Sequence, residues 1–179
     1  FLMVVSALLS TVLAVTPVVA MMLPVAVLLL EKTRGEPGAS PVGKAVMLGL
    51  PIACLIGGVG TPAGSAMNML TIGLLQDTAK VHISFFEWMA IGMPMVLILT
   101  PVAWWAVIKV FPPEMDRLAG MELVEREYAE LGPVPGRDTL FFVLLLLNFI
   151  LWCTDHTTGL PLPVVAAIGG SLFVLPPTP

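Results

Sequence analysis

The chain has 179 residues, of which 58% are hydrophobic and only 11% are charged, and its net charge is −4. A soluble domain carries roughly 25% charged residues, so this composition excludes a water-covered surface and indicates a membrane protein. No basic stripe is present to neutralise phosphates, which argues against a nucleic-acid partner. The two cysteines, Cys54 and Cys153, lie in separate apolar runs, where we expect free thiols rather than a disulfide or a metal site.

Five apolar stretches alternate with polar ones, and they cover residues 1–30, 45–75, 85–111, 139–153 and 160–175. A spanning helix needs about 20 apolar residues, so the third stretch fits directly, with Pro94 and Pro101 expected to kink it. Phe1 already lies in an apolar run, and no basic leading region of a signal peptide precedes it. We therefore interpret the sequence as an internal fragment of a larger polytopic protein.

The first stretch is too long for one straight span, and Thr16-Pro17 interrupts it. Proline removes a backbone donor and disfavours helix in the residue before it. Two half-helices, each too short to cross a bilayer, predict a re-entrant hairpin with its tip near Val15-Thr16.

The second stretch contains the segment LIGGVGTPAGSAMN, from Leu55 to Asn68. This composition predicts a helix broken between Gly57 and Gly64. Carbonyls of an unwound turn can coordinate a small cation, and the N-terminus of a half-helix favours an anion. Glycine-rich segments also occur where neighbouring helices pack closely, but two breaks in adjacent segments favour a binding site over simple packing. The candidate side-chain ligands are Ser10, Thr16, Thr61, Ser65 and Asn68.

The basic residues are distributed unevenly over the polar segments. Two polar segments, 31–44 and 112–138, contain or adjoin seven of the eight basic residues. These are Lys32, Arg34, Lys44, Lys109, Arg117, Arg126 and Arg137. This asymmetry places both segments in the cytoplasm and both ends of the hairpin on that side of a cell (inner) membrane. Helical spacing of apolar residues over 114–131 predicts an amphipathic connecting helix at the interface. We interpret Trp88 and Trp104 as anchors at the membrane–water interface.

Several segments resemble the divalent anion:sodium symporter family, the carriers of dicarboxylates, citrate and sulfate. They are AMMLPVAVLL (20–29), IGGVGTPAGSAMN (56–68), ISFFEWMAIGMPMVLILTPVAW (83–104), ELGPVPGRD (130–138) and ILWCTDHTTGLPLPVVAAIGG (150–170). The resemblance implies an all-α polytopic membrane protein in which a re-entrant hairpin and a discontinuous transmembrane helix form one part of an inverted-repeat transporter fold. The implied division is a transport-domain part over 1–111, an interfacial connecting helix over 112–137, and the start of a scaffold part over 138–179.

The resemblance, together with the oxygen preference of sodium, also implies site residues. A sodium ion would be held, mostly by backbone, at Ser10, Ala14, Gly57, Gly58 and Gly60. The anionic substrate would be bound by Thr16, Thr61, Ser65 and Asn68. The family's hairpin carries a Ser-Asn-Thr tip, which aligns with Ala14-Val15-Thr16, so only the threonine matches.

The expected function is secondary active transport of a divalent anion, most simply a C4-dicarboxylate, coupled to sodium. We expect no enzymatic activity, since no nucleophile–base pair or metal-ligand set lies at membrane depth. The expected partners are the lipid bilayer and a second copy in a homodimer. The alternative, supported by Val15, is a divergent membrane protein that is not sodium-coupled or that serves as a non-transporting sensor or structural element.

Overall fold

The structure is a computed structural model and describes residues 1–32, 40–112, 136–159 and 162–174. Within these ranges all regular secondary structure is helical. The α-helices are α1 (Leu2–Val12), α2 (Val15–Lys32), α3 (Pro41–Gly58), α4 (Ala66–Leu74), α5 (Phe85–Val110), α6 (Gly136–Cys153), α7 (Asp155–Thr158) and α8 (Leu162–Val174). A 3₁₀ turn (Pro62–Gly64) precedes α4 and a π turn (Leu75–Ala79) follows it.

The apolar stretches of the sequence become helices close to their predicted limits. Helices α5, α6 and α8 correspond to the third, fourth and fifth stretches, and α5 continues through both Pro94 and Pro101. By length and composition, α3 and α5 are long and apolar enough to cross a membrane. The amphipathic helix predicted over 114–131 lies outside the described residues.

The first stretch is broken, but slightly earlier than the proline indicated. Helix α1 ends at Val12, and Leu13 is extended with φ −100° and ψ 147°. Pro17 lies in the first turn of α2, where its missing N–H costs nothing because the first four N–H groups of a helix have no intrahelical partner. The break therefore lies at Leu13-Ala14, and Pro17 helps to start α2 rather than ending α1.

The second stretch is broken where the glycines predicted. Helix α3 begins at an N-cap, Ser40, whose hydroxyl accepts a hydrogen bond from Gly43 N at 3.0 Å. After Gly58 the chain leaves the helix, and Thr61 is extended (φ −132°, ψ 160°), as expected before a proline. Ser65 then caps α4, its hydroxyl accepting from Met67 N at 3.3 Å. Non-helical backbone thus separates α3 from α4.

The described residues form two compact units, of which the first comprises α1 to α4 and α5 from Glu87 onward. In this unit α1 and α2 both pack on α3. One buried cluster joins α2 to α3 through Val18, Ala26, Leu50 and Cys54, and Cys54 is a free thiol as expected. A second cluster joins α1 to α3 through Met3, Ala7 and Ala53. Helix α3 is therefore the central element of the unit.

The second unit comprises Ser84–Phe86 and helices α6 to α8. The ring of Phe85 is fully buried, lying edge-on to Phe149 and stacked on Trp152, with centroid distances of 5.6 Å to each. The amide of Asn148 on α6 lies against Gly169 on α8, where a methyl carbon at Gly169 would be 2.8 Å from Asn148 Cγ. Helices α6 and α8 approach closely at this glycine, as small residues allow in membrane proteins.

We expect Gly169→Ala to lower the thermal stability of the second unit modestly. The added methyl would force the Asn148 amide to shift, whereas a methyl at the adjacent Gly170 would meet nothing within 4 Å. The expected destabilisation is about 1 kcal/mol, the scale of mild overpacking. Thermal unfolding of the purified full-length variants would measure it, with Gly170→Ala as the matched control. Equal midpoints for the two variants would contradict this close approach.

Candidate functional site

The two helix breaks of the first unit lie against each other. Ser10 Oγ, near the end of α1, donates a hydrogen bond to the carbonyl of Cys54 on α3 at 2.8 Å. The hydroxyl of Thr61 donates to the carbonyl of Thr11, and it also accepts from Gly64 N at 3.2 Å. Thr11 is in the last turn of α1, whose carbonyls have no intrahelical donor. The glycine-rich break thus supplies a partner for the end of α1.

Glycines allow this approach. A methyl carbon at Gly57 would lie 2.8 Å from both the carbonyl carbon and Cα of Ala7, which is backbone of α1. A methyl carbon at Gly58 would lie 2.6 Å from Cγ2 of Val15, at the start of α2. Side chains at these two positions would push α1 and α2 away from α3, so the sequence needs glycine there for packing as well as for the break.

Several carbonyls in and beside the break accept identified hydrogen bonds. Backbone N–H groups donate to Ile56 O (from Val59 N, 3.2 Å) and Gly57 O (from Gly60 N, 2.9 Å). The Asn68 amide donates from Nδ2 to Gly58 O at 2.7 Å and to Thr61 O at 2.8 Å. Asn68 is buried in the first turns of α4, and it ties this helix to the end of α3. Because a carbonyl has two lone pairs, Gly58 O, whose identified partner is Asn68 alone, can still coordinate an ion, whereas Thr61 O also accepts from Gly64 N at 3.2 Å.

Four oxygen atoms surround Gly58 and Gly64. To locate these oxygens, we use the position that a Cβ atom would take if each glycine were replaced by alanine, and we call this position the marker of that glycine. The Gly58 marker is 3.3 Å from Gly64 O and 3.8 Å from Ser10 Oγ, and the Gly64 marker is 2.7 Å from Gly58 O and 2.8 Å from Ser10 O. We call Ser10 Oγ, Ser10 O, Gly58 O and Gly64 O the oxygen cluster. Oxygen atoms are the ligands that hard cations prefer.

The electrostatic character of the region comes from helix ends. No residue of 10–18 or 54–68 carries a charge. The C-terminal ends of α1 and α3 meet there, each equivalent to roughly half a negative charge, and the N-terminal ends of α2 and α4, with the opposite sign, adjoin them. Such a region favours a cation beside the C-terminal ends and an anion beside the N-terminal ends. Among the described residues no group of three or more His, Cys, Asp or Glu side chains could hold a metal ion.

The residues predicted for the site from the sequence lie in this region, at different depths. Thr61 is 1% exposed and Asn68 is 8% exposed, and both use their side chains to hold backbone. Thr16 is exposed in the first turn of α2, Ser65 is half-buried at the N-cap of α4, and Ala14 is exposed at the first break. The structure therefore separates accessible hydroxyls from enclosed groups, a distinction that the sequence did not provide.

Two residues of the region, Trp88 and Gly92, were not predicted for the site from the sequence, and Gly64 was predicted only as the end of the break. Gly64 contributes a carbonyl to the oxygen cluster and contacts Ser10 O and Gly58 O through its Cα face. Trp88, predicted as an interfacial anchor, donates from Nε1 to the Val59 carbonyl at 3.0 Å. Gly92 lies directly over the carbonyls of Val59 and Gly60. Trp88 and Gly92 lie in an apolar helix and carried no distinguishing signal, since their partners are distant in sequence.

An apolar helical region with two interrupted helices is a feature that secondary transporters also have, and they use such breaks at ion sites. Comparison with known protein families identifies one that matches residues 1–178, the family described as the sodium:sulfate symporter transmembrane region. The chain belongs to this family, as the resemblance predicted.

Curated relatives agree with this membership. The chain is 28% identical over 148 residues to the sodium-dependent dicarboxylate transporter SdcS of Staphylococcus saprophyticus, covering 78% of this chain and 28% of that protein. It is 27% identical over 168 residues to the sodium-dependent high-affinity dicarboxylate transporter 3 of Caenorhabditis elegans, covering 84% and 30%. SdcS of Staphylococcus aureus is 26% identical over 161 residues, covering 85% and 31%. The chain thus spans less than a third of the length of these relatives.

Proposed function

We propose that this chain provides a sodium site and part of an anion site in a secondary active carrier, which moves a divalent anion together with sodium. The observation that carries the proposal is the meeting of two helix breaks around the oxygen cluster. Family membership supports the same conclusion, and the names of the relatives support a dicarboxylate over sulfate as the anion, for which a C4-dicarboxylate is our specific proposal. The role is that of a carrier and not of an enzyme.

Sodium would lie among the oxygen cluster, with further backbone ligands at Ala14, Gly57 and Gly60. Ser10 Oγ is fully buried and donates to Cys54 O, so its lone pairs remain available to a cation. No carboxylate is present to hold the ion, and neutral dipoles bind sodium weakly. A millimolar affinity suits a carrier, because the ion must be released on the other side of the membrane.

The anion would bind beside the N-terminal ends of α2 and α4. Thr16 and Ser65 place hydroxyl groups there, and Ser65 can donate its proton because its cap bond uses the oxygen as acceptor. Thr61 and Asn68 would contribute by fixing the backbone that faces the anion. This division follows the accessibility of the four residues predicted for the substrate.

The proposed architecture follows from the same breaks. Helices α1 and α2 would form a re-entrant hairpin open to the cytoplasm, and α3 with α4 would form the discontinuous spanning helix, in one part of an inverted repeat. The transport part would cover 1–111, a connecting helix 112–137 and the start of a scaffold 138–179. The full-length protein would be a multi-pass homodimer in the cell (inner) membrane.

A second candidate function is favoured by Val15. Its Cγ2 atom lies against Gly58, so an apolar group borders the oxygen cluster. An apolar side chain beside a cation site takes the place of an oxygen ligand, and the affinity of the site for the cation is then lower. A protein without sodium coupling, or a non-transporting sensor, would be compatible with this contact.

Replacing Ser10 by alanine tests the sodium site. We expect the sodium concentration for half-maximal uptake by the full-length protein to rise about tenfold, since a buried oxygen ligand is lost. Uptake of a labelled C4-dicarboxylate at varied sodium would measure the change.

Ser171→Ala is the matched control, because Ser171 makes the same kind of side-chain-to-carbonyl bond, to Ile168 O, on the exposed surface of α8. If uptake by the wild-type protein did not depend on the sodium concentration, the second candidate function would be favoured. An unchanged sodium requirement in the Ser10 variant would remove Ser10 from the site.

A further inference from the structure

Helix α5 contacts the glycine-rich break at a place that no ligand role explains. The indole of Trp88 donates from Nε1 to the carbonyl of Val59 at 3.0 Å, across 29 residues of sequence. Val59 is the C-cap of α3, so its carbonyl points beyond the helix end and has no partner in the helical ladder. The indole N–H therefore satisfies an acceptor that the break itself creates.

One turn further along α5, the backbone approaches the same segment. A methyl carbon at Gly92 would lie 2.7 Å from Val59 O and 2.8 Å from Gly60 O. The sulfur of Met93 would lie 3.2 Å from a methyl carbon at Gly60. Gly92 is buried, and only glycine allows α5 to come this close to the two carbonyls. Trp88 and Gly92 thus contact neighbouring carbonyls of one turn.

These contacts fix the far side of the segment that bears the oxygen cluster. Gly58 O belongs to that cluster, and Val59 and Gly60 are the next two residues of the chain. Asn68 holds Gly58 O from the side of α4. A short, glycine-rich backbone has little rigidity of its own, so its carbonyl directions depend on such external contacts. Without Trp88, Val59 O would face an apolar environment unpaired or rotate to find another donor.

We propose that Trp88 and Gly92 are positioning residues for the sodium site: they hold the Val59–Gly60 turn so that Gly58 O points into the oxygen cluster. This inference rests on the proposed function, and it gives Trp88 a role in addition to that of the predicted interfacial anchor. Neither residue is among the proposed ligands of the ion or of the anion. Their effect acts on sodium affinity rather than on substrate affinity.

Trp88→Phe tests the proposal, because phenylalanine keeps an aromatic ring and removes the N–H donor. We expect the sodium concentration for half-maximal uptake by the full-length protein to rise between about threefold and tenfold. The KM for the dicarboxylate at saturating sodium stays within about twofold of the wild-type value. Gly92→Ala should shift the sodium requirement in the same direction, since its methyl would displace α5 from both carbonyls. The controls are Trp104→Phe, at a half-exposed tryptophan of the same helix, and Gly73→Ala, where a methyl meets nothing within 4 Å.

A second measurement needs no transport. Sodium added to the purified full-length protein should change its tryptophan fluorescence, because the indole of Trp88 reports on the Val59 carbonyl. This change should be lost in Trp88→Phe and kept in Trp104→Phe.

The outcomes separate the inference from the proposed function. Wild-type protein with neither sodium-dependent uptake nor a sodium-dependent fluorescence change overturns both. Wild-type sodium dependence together with an unchanged sodium requirement in Trp88→Phe overturns the positioning role alone. If Gly92→Ala loses uptake but its fluorescence changes over the same sodium concentrations as that of the wild type, the positioning role is also overturned.

Discussion

Gly57→Ala should abolish sodium-dependent uptake and destabilise the first unit, and it has the largest effect that we expect of any single methyl group. The added carbon would overlap the backbone of Ala7, which cannot move aside as the end of a flexible side chain can. Overpacking of this kind costs about 1–3 kcal/mol or more. Since α1 carries Ser10, its displacement from α3 would also separate the oxygen cluster. Uptake and thermal unfolding of the full-length protein would measure the two effects.

Gly73→Ala is the matched control for this substitution. Gly73 lies inside α4 with nothing within 4 Å of an added methyl, so alanine should be neutral or slightly stabilising through its better helix propensity. If Gly57→Ala behaved like Gly73→Ala, α1 and α3 would not be in backbone contact and the proposed site would not exist as described.

Asn68→Leu should reduce uptake by about tenfold to a hundredfold, because Gly58 O loses its one identified donor, which costs about 1–3 kcal/mol, while Thr61 O keeps only the bond from Gly64 N. Leucine has a similar size, so the change removes hydrogen bonds with little loss of volume. The bonds lost are those from Nδ2 to Gly58 O and Thr61 O. The sodium requirement should rise together with the loss of maximal rate, since Gly58 O belongs to the oxygen cluster. Uptake at varied sodium and varied dicarboxylate would separate the two effects.

The control on the same helix is Thr71→Val. Its hydroxyl also donates to a carbonyl, that of Met67 at 2.8 Å, but on an exposed face and within the helical ladder. We expect near-normal uptake for that variant. A rise in the KM for the dicarboxylate alone in Asn68→Leu, with an unchanged sodium requirement, would instead assign Asn68 to direct substrate binding.

The sequence by itself determined the class of the protein and the places where its helices stop. The glycines and Pro62 within 57–64 act locally: they free the backbone, remove a donor and interrupt the hydrogen-bond ladder of the helix. The family could be recognised because it repeats these local features in a fixed order. Even here the position of Pro17 was misread, since a proline is tolerated in the first turn of a helix and the break falls at Leu13-Ala14.

Only the tertiary structure decided which groups satisfy the interrupted backbone. Ser10 donates across 44 residues, Thr61 across 50 and Trp88 across 29, and no local pattern identifies partners at such separations. The same packing turned Thr61 and Asn68 inward, left Thr16 accessible, and gave Trp88 an internal acceptor. The physical reason is that a backbone carbonyl without a helical partner must accept a hydrogen bond when it lies in an apolar environment. The sequence indicates that such a donor is needed, but it does not identify the donor. Which side chain supplies it depends on how α1, α4 and α5 pack around the end of α3.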